Sequence, residues 1–195
     1  MATRKDTHLF TVDSGGRTFR DLSLDAKGED YSEAFKSSNH SNVRVVDSLI
    51  IGGVEDCIDL VRGSNFLFSN CTIDCSGSKQ AVTVKAGFEN LWFKDCSFVG
   101  SPKTAYIVAG QYSDYNFCGD LVTKDIRIDN CDFEDKSKPA VRMWNASNVI
   151  SDDEDRLNLD FVPSFVVYFY FSFRKIQQRI WHGKNGRNAV CKKIG

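Results

Sequence analysis

One short pattern returns five times along the chain and restricts its folding more than any other feature. Segments 42–50, 65–73, 90–98, 125–133 and a shortened 148–152 align without gaps, their starts 23, 25, 35 and 23 residues apart. Each opens on Asn or Asp, and apolar residues then recur at every second position, as in Val43/Val45, Phe66/Phe68, Leu91/Phe93 and Ile126/Ile128. A period of two marks a strand with one buried face. Asp or Asn follows, then a small Ser or Cys, then a second short alternation ending on Ile or Phe. A third apolar stretch completes each repeat at 57–61, 81–84, 105–108 and 140–144. Three strands per ~23 residues, with no helical stretch between them, describe a coil of stacked turns. Neighbouring turns would pair in parallel about 4.8 Å apart, so five turns would rise on the order of 24 Å.

Stacking in register gives the minor columns a physical meaning. Asn42, Asn65, Asn90, Asp125 and Asn148 enter the first strand of each turn. Asn and Asp tolerate left-handed backbone and bond local amides, which suits a repeated corner. Ser48, Cys71, Cys96 and Cys131 form a second column, expected to be small inward-facing packing residues. The chain has seven cysteines without a CxxC pair, and no His stands near Cys71 and Cys75. Zinc is therefore not expected, and neither a metal nor a cofactor is anticipated. No secretory signal is visible, so the thiols are expected to stay free in a reducing cytosol.

These segments resemble the right-handed parallel β-helices of the pectate-lyase-like superfamily, with three sheets and stacked Asn, Ser and Cys corners. The stretch 28–36 is similar to the short amphipathic helix that caps such coils, notably in phage tail and virion proteins. The resemblance implies an all-β fold, a right-handed parallel β-helix of about five rungs. Its expected divisions are an N-terminal arm and cap over 1–40, the coil over 41–150, and an acidic hinge and hydrophobic, basic tail over 151–195.

The net charge of −1 conceals an asymmetry: residues 1–160 carry −8 and the last 35 carry +7. In the third repeat about ten extra residues bring Tyr112, Asp114, Tyr115 and Phe117 together. Such a loop can stack on and hydrogen-bond a sugar, or centre a protein contact, or fold back on the next turn. In the tail, Phe165, Tyr168, Phe169, Phe173, Ile176, Ile180 and Trp181 are the candidate assembly residues. Segment 161–182 reads as a helix started at Pro163 or as an edge strand over 165–173. Its apolar run of 13 residues, 161–173, is short of the ~20 that cross a bilayer. A cap or oligomerisation element leads the readings. A membrane-surface anchor and a basic arm on nucleic acid are the alternatives.

Enzymes of this superfamily cleave acidic polysaccharides, which needs paired carboxylates or a base beside bound calcium. Outward positions do include Asp74, Lys94, Asp95, Asp129 and Asp132, but acids are expected at corners in any case. The paired-Asp and Gly-His-Gly signatures of the polygalacturonase branch are absent, and His8, His40 and His182 are scattered. The expectation is a non-enzymatic virion protein, a head-surface or tail component acting as rigid spacer or attachment platform. Its partners would be further copies of itself, in the trimers common among phage β-helices, and other virion proteins. A carbohydrate-binding or carbohydrate-cleaving coil is the alternative, and a membrane-attached one the third.

Overall fold

The computed structural model describes residues 7–27, 31–110, 122–144 and 146–152, with the backbone of Leu157–Leu159 beyond them. Five turns of three strands wind through these residues. The first turn comprises β1 (His8–Val12), β2 (Thr18–Arg20) and β3 (Ser23–Asp25). The second holds β4 (Glu33–Ser38), β5 (Ser41–Val46) and β6 (Leu49–Ile51). The third holds β7 (Asp56–Val61), β8 (Ser64–Ser69) and β9 (Thr72–Asp74). β10 (Gln80–Lys85), β11 (Glu89–Lys94) and β12 (Ser97–Val99) form the fourth. The fifth is β13 (Ile107–Ala109), β14 (Thr123–Asp129) and β15 (Asp132–Phe133). β16 (Val141–Met143) and β17 (Ala146–Ser151) begin a sixth turn, and β18 (Leu157–Leu159) stacks on β16 one turn further on.

Every strand pairs in parallel with its counterpart one turn away, giving sheets of seven, six and five strands. The five aligned segments are β5, β8, β11, β14 and β17 of the six-stranded sheet, in the expected register: Val43↔Phe66, Phe66↔Leu91, Leu91↔Ile126 and Ile126↔Val149. The fold is thus a parallel β-solenoid.

Two expectations are corrected at the N-terminal end. Residues 33–36, read as part of a capping helix, lie in strand β4, where pairing with β1 and β7 supplies the backbone hydrogen bonds a helix would have made internally. Phe35 explains the preference, because its fully buried ring stacks on Phe10 and meets Phe68 edge-on. Residues 8–25, assigned to an arm ahead of the coil, supply its first turn. That copy escaped the alignment because its corner residue is Gly16 instead of Asn; Thr18↔Arg44 pairing sets Gly16 level with Asn42.

The corners account for all the unusual backbone. Thirteen described non-glycine residues have positive φ, and each ends or begins a strand at a corner. Asn42, Asn65, Asn90, Asp125 and Asn148 take φ of 62, 59, 56, 59 and 51°, and Gly16 takes 69°. Asp21, Asp47, Asn70, Asp95 and Asn130 do the same at the second corner, and Asn39, Arg62 and Ala86 stand on the far side of the first corner, just ahead of Asn42, Asn65 and Asn90. Side chains then bond up the stack: Asn65 Nδ2 donates to Asn42 Oδ1 and Asn90 Nδ2 to Asn65 Oδ1, each at 3.1 Å. At the second corner Asn70 donates to Asp47 at 2.7 Å and Asn130 to Asp95 at 2.8 Å. Close approach limits one further turn, since a Cβ on Gly53 would lie 2.3 Å from the Ser32 carbonyl oxygen.

Inside, ring contacts link all five turns: Phe10 to Phe35, Phe35 to Phe68, Phe68 to Phe93, Phe93 to Phe98, and Phe98 to Phe133. Centroid separations run from 4.7 to 5.7 Å, alternating stacked and edge-on. Such pairs add about 0.5–1.5 kcal/mol each beyond the area they bury.

Candidate functional site

Polar residues interrupt the seven-stranded sheet at two neighbouring positions. His8, Glu33, Asp56 and Gln80 share one register column, and Thr11, Lys36, Asp59 and Thr83 another. The columns are three residues apart, an odd spacing that simple alternation would place on opposite faces. Between them each strand contributes two successive core residues: Ala34–Phe35, Cys57–Ile58 and Ala81–Val82. This slip of one residue returns positions i and i+3 to the same side. Cys57, for example, sends its thiol inward to the Asp74 carbonyl at 3.3 Å.

Three carboxylates meet there. Glu33, Asp56 and Asp59 each bring an oxygen within 4.8 Å of the other two, and all three are buried. Their partners are unequally shared. Lys36 pairs with Asp59 Oδ2, and Lys85 Nζ lies 3.2 Å from Asp59 Oδ1, close enough for an ion pair yet out of hydrogen-bond alignment. His8 Nδ1 bonds Glu33 Oε2. Among the described residues no cation pairs with Asp56, which is only 3% exposed. The Thr83 side chain is its hydrogen-bond partner, and Oδ1 is buried with none. Gln80 Nε2 in turn donates to Thr83 Oγ1 at 3.0 Å and holds it in place.

Burial pushes the Asp56 carboxyl up to about 7, with the Asp59 and Glu33 charges adding to the effect and Thr83 and Lys85 opposing it. Burial also raises Glu33, against the pull of Lys36. The cluster can hold a proton near neutral pH. It also offers three oxygens of the kind hard cations take, although both lysines already occupy Asp59.

The carboxylates singled out in the sequence are engaged elsewhere. Asp74 accepts from the Ser76 amide at 2.9 Å, Asp95 belongs to the corner ladder, and Asp132 pairs with Lys136 at 2.9 Å. Asp129 accepts from the Trp92 indole at 3.1 Å and forms an ion pair with Arg127, whose Nε lies 2.7 Å away. Arg127 also sits 4.9 Å from the Trp92 ring centre, making a half-exposed aromatic and cationic patch on the six-stranded sheet. The thiol column is as expected. Cys71, Cys96 and Cys131 donate to the carbonyl two residues earlier at 3.4, 3.3 and 3.4 Å, and Ser48 does so at 2.7 Å. All five described cysteines are free, and burial raises Cys57 and pushes Cys75 up to about 12.

Tyr112, Asp114, Tyr115 and Phe117 lie outside the described residues, as do Phe165, Tyr168, Phe169, Phe173, Ile176, Ile180 and Trp181. Among the described residues no helix is long and apolar enough to cross a membrane. The sequence reading missed both the carboxylate cluster and Trp92. A signal for the cluster was present: the pairs Glu33/Lys36, Asp56/Asp59 and Gln80/Thr83 repeat one spacing inside apolar strands.

Compared with known proteins, the chain matches no protein-family model, no curated protein and no solved structure.

Proposed function

We propose that this chain is a non-enzymatic structural protein of a virus particle, a rigid spacer or attachment platform. The observation that carries this reading is the unbroken line of ring contacts from Phe10 to Phe133, which couples every turn to the next. A coil joined by aromatic packing inside and side-chain ladders at its corners resists bending and keeps its ends at a set distance. The buried cluster favours the same reading, because Asp56 and Asp59 at 3% and 1% exposure are closed to a polymeric substrate. The step from solenoid to phage head or tail rests on the resemblance to pectate-lyase-like and phage β-helices. Oligomeric assembly through 161–182 belongs to the same proposal.

Light-scattering mass after size exclusion tests it, comparing the full chain with one stopped at Asp160. A discrete oligomer that becomes monomeric on truncation supports an assembly element. A full chain soluble only in detergent, with a soluble truncation, would replace the virion reading by membrane attachment.

The half-exposed Trp92, flanked by Arg127 and Asp129, favours a second reading, carbohydrate binding. Glycan-array binding that is lost in both Trp92→Ala and Tyr112→Ala would support it.

A further inference from the structure

We propose that Glu33, Asp56 and Asp59 form a proton-operated latch between the second and third turns, closed when Asp56 carries a proton and loosened when it loses it. The reason is the distribution of cations. Three buried carboxylates face two ammonium groups and one imidazole. Lys36 and Lys85 both serve Asp59, and His8 serves Glu33. Asp56 receives a hydroxyl from Thr83 and nothing charged, while its Oδ1 has no partner among the described residues. Leaving an ionised carboxylate unpaired in such a place costs several kcal/mol, and neutralisation is the ordinary escape.

Among the described residues, the neighbouring elements bring no free cation to Asp56. β4 presents Glu33 and Lys36, β7 presents Asp59, and β10 presents Lys85 beside the neutral Gln80 and Thr83. β1 presents His8, already on Glu33. Glu55 and Lys79, at the turns leading into β7 and β10, pair with each other at 2.8 Å. None of these moves onto Asp56 without leaving another charge unpaired.

The geometry also determines what loosens. Glu33 and Asp56 are register partners across the β4–β7 pairing. A negative charge on both sets like charges side by side across two adjacent turns, and separation of those turns is the relief available. A carboxyl raised in the folded state contributes stability that is fully present below the unfolded value of 3.8. That stability is lost as pH rises through about 7. The latch therefore tightens on acidification, the reverse of ordinary acid denaturation.

Hydrogen exchange of the full chain, read by mass spectrometry and corrected for intrinsic rates, tests the proposal between about pH 5 and about pH 8.5. In the wild type, protection of 33–38 and 56–61 should fall at least ~10-fold across that window, while β11 and β14 keep theirs. Asp56→Asn, which keeps the shape without the charge, should flatten the response and hold the protection seen at low pH. Lys85→Gln removes a charge that favours ionised Asp56, so the midpoint should move to higher pH. An identical pH response in wild type and Asp56→Asn would overturn the latch, as would a loss of protection shared equally by all three sheets. Millimolar calcium abolishing the wild-type response would also overturn it, by assigning the pocket to a cation.

Discussion

The corner ladder of the six-stranded sheet and the carboxylate cluster of the seven-stranded sheet solve one problem in opposite ways. Both stack polar side chains in register, turn upon turn, the ladder at an exposed corner and the cluster in buried positions. In the ladder the same amide recurs: Asn65 donates to Asn42 and accepts from Asn90, so the run is linked without charge. In the cluster the register brings His, Glu, Asp and Gln into one column, and no neighbour complements Asp56. Repetition of one residue type makes a ladder self-satisfying. A change of residue type at one register position concentrates charge and makes that position responsive to pH.

Substitutions at four sites, with two lysine changes as a control, test that contrast. Phe68→Ala removes the ring shared by Phe35, Phe66 and Phe93, on which both regions rest, and should cost about 3–5 kcal/mol. Urea denaturation should show the loss over the whole coil. Asp59→Asn leaves Lys36 and Lys85 without their anion and should cost about 3 kcal/mol near neutral pH. Adding Lys36→Met and Lys85→Met should recover part of it in the same thermal melts; no recovery would mean that packing, and not charge, holds the site.

Asn65→Ala takes away two ladder bonds and puts alanine at φ 59°, for a loss of about 2 kcal/mol. Asn65→Gly relieves the backbone and should cost about 1 kcal/mol, so the difference between the two separates strain from hydrogen bonding. Arg20→Ala breaks only the surface pair with Asp47 and should change stability by less than about 1 kcal/mol, an effect that vanishes in high salt.

The six-stranded sheet was readable from its alternating residues because, past the corner Asn or Asp, its buried positions recur every second residue. The seven-stranded sheet was harder. Its strands slip the period at Ala34–Phe35 and Cys57–Ile58, so the polar residues flanking each pair looked like isolated interruptions of an apolar run. Segment 33–36 misled for the same reason: Glu33 and Lys36, three apart with Ala34 and Phe35 between, have the spacing of a helical surface stripe. Pairing with β1 and β7 overrode that local pattern. The thiol column was legible because a small donor two residues after a strand carbonyl closes its own turn.

The repeat, the parallel stacking it implies, the Asn and Cys columns and the apolar interior were legible in the residue order, because each follows from periodicity and local backbone preference. It took the folded stack to show that residues 8–25 supply a turn of the coil, and that Glu33, Asp56 and Asp59 converge while both lysines turn to Asp59. Convergence depends on which residues stand level on adjacent turns, 23 residues apart at Glu33 and Asp56, and register is a property of the stack that no single turn contains.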